Sequence, residues 1–313
     1  MDIVQAKTFL AIIEGGNFVE ASKRVFVTQS TVSARIKALE DQLGKSLFNR
    51  SKSGCELTPA GHQFYRFARS LVRVWEEAKH QVAVPEGYED TLIIGGQYSL
   101  WNRFLLQWVP AFEASHPTIA LRCEIGMPRR LMREMNEGVM DLAIIYRPEN
   151  RPGLIVEELL EDRLVLVTTD ISIPLEDHYI FTDWGDAFRA MHAETYPEIH
   201  NPGLTLDLGA LGVNMLIQKG GAAYFPERVV QTHIEEGLLF IVEEALDFQY
   251  PAYVVYQEEF STPEIMDKAL SSLRRTAGKA IDGDLPPPFW AEGETAETQQ
   301  SDILGADDKG HQN

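Results

Sequence analysis

Through the first 84 residues, apolar side chains recur at helical spacing. Ile3, Ala6, Phe9 with Leu10, and Ile13 lie on one face of a helix over residues 2–14, which Gly15-Gly16 ends. Asn17 is placed to cap a second helix carrying Phe18, Ala21 and Val25. Val27-Thr28 turns the chain into a third helix from about Gln29 to Leu43, whose apolar row is Val32, Ile36, Leu39 and Leu43, with Gly44 as its stop. Three short helices, the last two joined by a tight turn, make a helix-turn-helix. Leu47-Phe48 and Leu57 bracket a polar, glycine-containing excursion from Asn49 to Glu56, which suits a two-stranded wing. Pro59, a favoured first helical residue, opens a long helical pattern to about Val84. Its Phe64, Ala68, Leu71, Trp75, Ala78 and Val82 alternate spacings of four and three, the seam of a helix that pairs with another subunit. The alternative is an amphipathic helix lying on its own domain.

Pro85-Glu86-Gly87 punctuates the chain, and its character changes. Apolar runs at 92–95, 119–125, 142–146, 164–167, 179–181, 204–206, 222–225, 239–242 and 252–256 read as strands, with helices between them at about 99–115 and 129–138 and a last one at 263–276. Such alternation predicts α/β units. Residues 284–313 hold seven acids against one lysine and too little apolar surface to order themselves, so an acidic, disordered tail is expected over 283–313.

A chain of 313 residues with 44% hydrophobic and 24% charged content predicts two or three globular domains. No apolar run reaches eighteen residues, so no membrane span is expected. The first residues lack the basic-then-apolar pattern of a secretory leader, and Cys55 and Cys123 are the only thiols, which suits a reduced, cytoplasmic setting. The net charge of −19 conceals an asymmetry: residues 1–85 carry about +4, the remainder about −23. A basic head can meet phosphates that the acidic body would repel. The scattered histidines and the two cysteines have no metal-ligand spacing, and no phosphate-binding or nucleophile motif occurs, so no metal, cofactor or enzymatic activity is expected. His192 and Glu194 read as surface residues of a helix.

Thr28-Gln29-Ser30-Thr31-Val32-Ser33-Ala34-Arg35-Ile36, followed by Leu39-Glu40 and Leu43-Gly44, resembles the signature of LysR-type transcriptional regulators. Ala21-Ser22 upstream, and Leu47-Phe48-Asn49-Arg50 and Leu57-Thr58-Pro59-Ala60-Gly61 downstream, fit the same pattern in order, and Gly138-Val139-Met140-Asp141-Leu142-Ala143-Ile144 is similar to the family's sensing domain. The resemblance implies a winged helix-turn-helix over 1–58, a linker and dimerisation helix over 59–87, and an effector-binding domain over 88–282. That domain would have two α/β lobes arranged like a periplasmic binding protein, lobe 1 at about 90–167 and 258–282 and lobe 2 at about 169–256. The chain would then cross between lobes near Thr168-Thr169 and near Tyr256-Gln257. Implied partners are double-stranded promoter DNA, a small-molecule effector, and further copies of the chain as a homodimer and homotetramer.

A recognition helix presents its leading residues to base edges. Gln29 and Ser33 share one face and can bond to bases, and Ser30 and Thr31 can reach bases or phosphates. Arg35 and Lys37 are expected on the DNA backbone, with Arg50 and Lys52 of the wing on phosphates or in the minor groove. The family often has a second basic residue where Ala34 stands. In an inter-lobe cleft, Ser99 at a helix start offers a hydroxyl and free backbone N–H groups to an anion, unless it is a plain helix cap. Tyr98, Trp101, Met127 and Tyr146 would line the cleft from lobe 1, and Asp207, Gly209 and Tyr224 from lobe 2, with core packing the alternative for Trp101, Tyr146 and Tyr224. The set suits a small organic acid or aromatic effector. A ligand-independent architectural DNA binder, using its lobes only to oligomerise, is the rival reading.

Overall fold

A computed structural model of the chain describes residues 2–51, 54–199, 203–260 and 262–281. Lys52 and the acidic tail expected over 283–313 lie outside them. The head is built from α1 (Ile3–Gly15), α2 (Phe18–Arg24) and α3 (Gln29–Leu43), a wing of β1 (Phe48–Ser51) and β2 (Gly54–Leu57), and the long α4 (Pro59–Val82). Caps account for the sharp boundaries: Asp2 with Gln5 forms a capping box, and Asn17, Thr28 and Thr58 each accept a backbone N–H of the helix they begin. The apolar rows meet in one core, where Phe9 packs against Phe48 and Phe64 at ring-centre distances of 5.1 and 5.0 Å. Gly61 is required in the first turn of α4, because a Cβ there would stand 2.2 Å from the Leu47 carbonyl oxygen.

The proposed seam of α4 divides. Phe64 and Ala68 are buried in the head's own core, together with Gly61, Val72 and Glu76, so these two do not belong to a free pairing face. Leu71, Trp75, Ala78 and Val82 are exposed, beside exposed Phe67 and Val74. A row of near-four spacing and a heptad row coincide at 64 and 68 and part at 71 and 72, because 3.6 residues per turn does not match a 3.5 repeat. The helix therefore covers its own domain with one face and leaves a second apolar face bare.

Lobe 1 holds a five-stranded sheet ordered β4-β3-β5-β13-β6, made of β3 (Asp90–Gly96), β4 (Ile119–Ile125), β5 (Leu142–Tyr146), β6 (Leu154–Leu160) and β13 (Ala252–Gln257). Between β3 and β4 run α5 (Tyr98–Leu100), a π-helical turn (Trp101–Leu105) and α6 (Leu106–Ser115); α7 (Pro128–Glu137) precedes β5, and α12 (Pro263–Ile281) closes the lobe. Lobe 2 centres on β7 (Arg163–Thr168), flanked by antiparallel β10 (Ala222–Pro226), β11 (Phe240–Ile241) and β12 (Phe248–Gln249). Around it lie α8 (Leu175–His178), β8 (Phe181–Thr182), α9 (Asp186–Thr195), β9 (Thr205–Leu206), α10 (Gly212–Lys219) and α11 (Glu227–Glu235).

The crossings between lobes fall earlier than expected on both strands. β6 belongs to lobe 1 and β7 to lobe 2, so the first crossing is Glu161-Asp162 rather than Thr168-Thr169. β12 and β13 place the second at Tyr250-Pro251 rather than Tyr256-Gln257. Lobe 1 is thus 90–160 with 252–281, and lobe 2 is 163–249. A continuous apolar strand reads alike whichever sheet receives it. β6 itself carries Glu157 and Glu158 in mid-strand, which masked it; Glu157 is taken up by Arg274 of α12 through two bonds of 2.8 Å.

The head rests on lobe 1 of the same chain. Arg73 of α4 bonds to the Glu259 carbonyl and carboxylate at 2.9 and 2.8 Å, Arg69 donates to the Pro152 carbonyl, and Asn136 of α7 donates to Glu14 of α1 at 3.3 Å. Burial and then the neighbouring Glu14 charge push the Glu137 carboxyl up to about 7, against the opposing pull of Arg133 and Lys7. Asp141 is likewise raised to about 7, mainly by burial, although it accepts the Ile93 N–H at 2.7 Å. A carboxyl that holds its proton longer when folded makes stability fall as pH rises from the unfolded value near 4.5 to about 7. Glu137→Gln should flatten part of that fall and raise stability at pH 8 while leaving pH 4 unchanged, as read from urea midpoints across pH; equal effects at both pH values would contradict it.

Candidate DNA-reading surface and inter-lobe cleft

α3 begins on Thr28, whose hydroxyl accepts the Thr31 N–H at 3.2 Å and lies 2.8 Å from the hydroxyls of Ser30 and Thr31. This ties down the leading turn and leaves Gln29 and Ser30 exposed, with Thr31 and Ser33 half-buried on the same end. Ala34 is exposed, and Lys37 is exposed with no ion pair among the described residues. Arg35 stands differently from the expectation: half-buried, it donates to Thr8 of α1 at 3.4 Å rather than projecting freely. Arg35 is six residues into α3, where the helix face turns back toward α1. Arg50 sits on β1 opposite Cys55, and the Cys55 N–H bonds to the Gly16 carbonyl at 3.2 Å, fixing the wing to the turn between α1 and α2.

Between the lobes lies a cleft of about 910 Å³. Tyr98, Ser99, Met127 and Tyr146 line it from lobe 1, and Asp207 and Gly209 from lobe 2. Ser99 does not cap its helix, which begins at Tyr98 after Gln97. Its Oγ instead accepts the Ala210 N–H of lobe 2 at 3.2 Å, and Gly209, with φ of 53°, would bring a Cβ within 3.2 Å of that oxygen. Trp101 and Tyr224 are not cleft residues. The Trp101 indole donates to the Glu124 carbonyl at 3.0 Å inside lobe 1. Tyr224 is fully buried in lobe 2, its hydroxyl bonded to Tyr196 at 2.8 Å and to the Leu246 carbonyl at 2.9 Å, and burial followed by Tyr196 raises its pKa. β10 is covered on both faces, so neither side of it reaches the cleft. His192 also departs from expectation: it is buried, 2.6 Å from the Tyr179 hydroxyl, and burial lowers its pKa.

Several cleft residues escaped sequence reasoning. Arg130 is occupied by Glu124 and Glu134, both at 2.7 Å, and Arg189 by Asp183 and Asp186. Arg147 follows β5 with φ of 53°, a left-handed backbone that disfavours a non-glycine residue, and lies over the Tyr250 ring at 5.7 Å with no carboxylate partner among the described residues. Tyr250 stacks on Tyr146 at 4.2 Å, and Tyr146 donates to Asp162 at 2.8 Å. Burial and the adjoining Asp162 charge hold the Tyr146 hydroxyl well above the ordinary phenol range. The Arg147 position, directly after a strand that ends at the cleft, was a usable signal; Asp162 offered none, since its place in a crossing depends on which sheet each strand joins.

Residues 3–62 match the family described as "Bacterial regulatory helix-turn-helix protein, lysR family", and residues 85–278 match "LysR substrate binding domain". The chain is 28% identical over 296 residues to the HTH-type transcriptional regulator HdfR of Yersinia enterocolitica, covering 90% of this chain and 99% of that one. It shares its fold with the crystal structure of ArgP from Mycobacterium tuberculosis (TM-score 0.55, 23% identity, 88% and 97% of the two chains). It shares it also with full-length LysG from Corynebacterium glutamicum with bound effector Arg (TM-score 0.50, 22% identity, 88% and 99%). Among the described residues, no helix is long and apolar enough to cross a membrane.

The burial of Tyr224 yields a test. Tyr224→Phe should cost about 0.5–1.5 kcal/mol in urea unfolding, because the bonds of the hydroxyl to half-buried Tyr196 and to the Leu246 carbonyl are lost. It should leave any ligand-induced stabilisation as it was, whereas loss of ligand response at unchanged stability would return Tyr224 to the cleft.

Proposed function

The chain belongs to the LysR family of bacterial regulatory proteins, and from that membership we propose that it binds promoter DNA as a cytoplasmic homo-oligomer under the control of a small organic anion in the inter-lobe cleft. Members of this family are DNA-binding transcription regulators with an effector-binding domain, not enzymes. The observation that carries the DNA reading is the leading end of α3, where Gln29 and Ser30 stand exposed on a turn made rigid by Thr28. Gln29 and Ser33 would read base edges, Ser30 and Thr31 would reach bases or phosphates, and Lys37, with Arg50 and Lys52 of the wing, would neutralise phosphates. Arg35, turned toward Thr8, fits a supporting role better than a direct phosphate contact. The bare face of α4, with Leu71, Trp75, Ala78 and Val82 beside Phe67 and Val74, suits pairing with the same face of a second copy, placing two α3 helices for two half-sites. Tetramer formation is carried by the resemblance to the family alone.

The cleft supports an anionic effector because its other two arginines are already neutralised while Arg147 is not. Aromatic walls from Tyr98, Trp184 and Tyr250 would take an apolar body, and exposed Asp207 opposite would accept a donor. LysG, a fold relative, holds the amino acid arginine as its bound effector, a small organic molecule that carries a carboxylate although its net charge is positive.

On a duplex selected from random sequence by the purified protein, Gln29→Ala or Ser33→Ala should weaken binding by about 1–3 kcal/mol and relax specificity. Lys37→Ala should weaken selected and random duplexes alike and flatten the salt dependence. Equal loss on both duplexes for Gln29→Ala would remove it as a base reader. In thermal shift, one or more organic carboxylates should stabilise the protein, by about 2.7 kcal/mol at a hundred times Kd, and Arg147→Ala should abolish the effect. Stabilisation by organic amines but not carboxylates would overturn the anionic reading, and no stabilisation by carboxylates, amines or neutral sugars would favour the ligand-independent DNA binder.

A further inference from the structure

One charged side chain joins the two lobes beneath the cleft floor. Arg228 is the second residue of α11 and so belongs to lobe 2, yet all its acceptors lie outside that lobe. One terminal nitrogen donates to the Asn102 carbonyl at 2.6 Å. The other lies 3.0 Å from the Ser99 carbonyl, 3.0 Å from the Tyr146 hydroxyl and 3.1 Å from the Asp162 carboxylate. Ser99, Asn102 and Tyr146 are residues of lobe 1, and Asp162 is in the first crossing. The pair is secluded from water, with side-chain exposures of 10% for Arg228 and 5% for Asp162, where a charge is tolerated only when held by partners.

Three features set this contact apart from ordinary packing. Ser99 and Asn102 flank the start of the π-helical turn at Trp101–Leu105, the kind of inserted residue that recurs at functional sites. Two of the residues that hold Arg228, Ser99 and Tyr146, also line the cleft, and the Tyr146 ring stacks on the Tyr250 ring under Arg147. The Arg228 Nε is buried without a partner among the described residues, so this arrangement leaves one donor unsatisfied. An internal contrast lies one residue away. Glu227 bonds to Arg163 at 2.7 Å twice over, but that pair is half-exposed and wholly within lobe 2.

We propose that Arg228 is the positioning residue that sets the spacing of the lobes, a latch whose catch is the Ser99 carbonyl, the Asn102 carbonyl, Tyr146 and Asp162. A cleft occupant that engages Ser99 or the Tyr146–Tyr250 stack acts on the same backbone and rings that hold the latch. Occupancy of the cleft then changes the balance between two lobe spacings through Arg228, to the extent that the occupant binds one spacing better. The proposal does not rest on the identity of the effector.

The test reads lobe spacing directly in the full chain without any ligand. Spin labels or dyes are placed on exposed positions through Glu113→Cys on α6 and Glu235→Cys on α11, in a Cys55→Ala, Cys123→Ser background, with labelled subunits diluted by unlabelled chain. Arg228→Ala should raise the long-distance population about tenfold, Arg228→Lys should fall between it and the parent, and Arg163→Ala should leave the distribution unchanged. Because Arg228→Ala strands a buried carboxylate, the pair Arg228→Met with Asp162→Asn is measured as well; it keeps the fold by removing both charges and should show the same long distances. A distance distribution like the parent's in that double variant, with or without a lower melting temperature, overturns the latch and leaves the ligand reading of the cleft standing. Failure of every ligand in thermal shift leaves the latch standing in turn.

Discussion

Lobe geometry depends on keeping a buried guanidinium and a buried carboxylate together where the chain passes from one sheet to the other. Asp162 lies in one crossing and Tyr250 in the other, and the Tyr250 N–H bonds to the Asp162 carbonyl at 2.7 Å, so the two crossings are fastened to each other. Arg228 and Tyr146 converge on the Asp162 carboxylate from opposite lobes. Separating these groups without water would leave charges uncompensated, so any opening of the cleft has to exchange these bonds for solvent or for other partners. That exchange favours two discrete lobe positions over a continuum, since buried polar networks are costly when half satisfied.

Much of the head was legible because its elements carry their own punctuation. α3 spans Gln29–Leu43 as the pattern indicated, with Thr28 capping one end and Gly44, at φ of 64°, ending the other. The wing was equally plain, a polar excursion bracketed by apolar residues. α4 was read correctly as one long helix but with its heptad row on a single partner; Phe64 and Ala68 are spent on the head's own core. Periodicity shows that a face is apolar and says nothing about whose surface covers it.

The cleft was half legible. Ser99, Tyr98, Met127, Asp207 and Gly209 follow strands whose ends meet between the lobes, a place that element order alone can indicate. Trp101 and Tyr224 failed because their burial depends on tertiary packing: the indole turns in beside Gly96 toward Glu124, and β10 is sandwiched. Arg228 could not have been found by spacing, since its partners stand 66 to 129 positions away along the chain. The misplaced crossings share that cause, because sheet membership is a long-range property.

The placement of the crossings has a topological consequence. β6 and β13 are antiparallel neighbours, and Leu160 at the end of one pairs with Ala252 at the start of the other. Residues 161–251 therefore amount to an oversized hairpin loop inserted between two adjacent strands, and the loop has folded into a lobe of its own. Closing a long loop costs little more than closing a short one. Both tethers leave from one edge of one sheet, so the inserted body pivots about a single side, and the five strands that carry it are not interrupted by its motion.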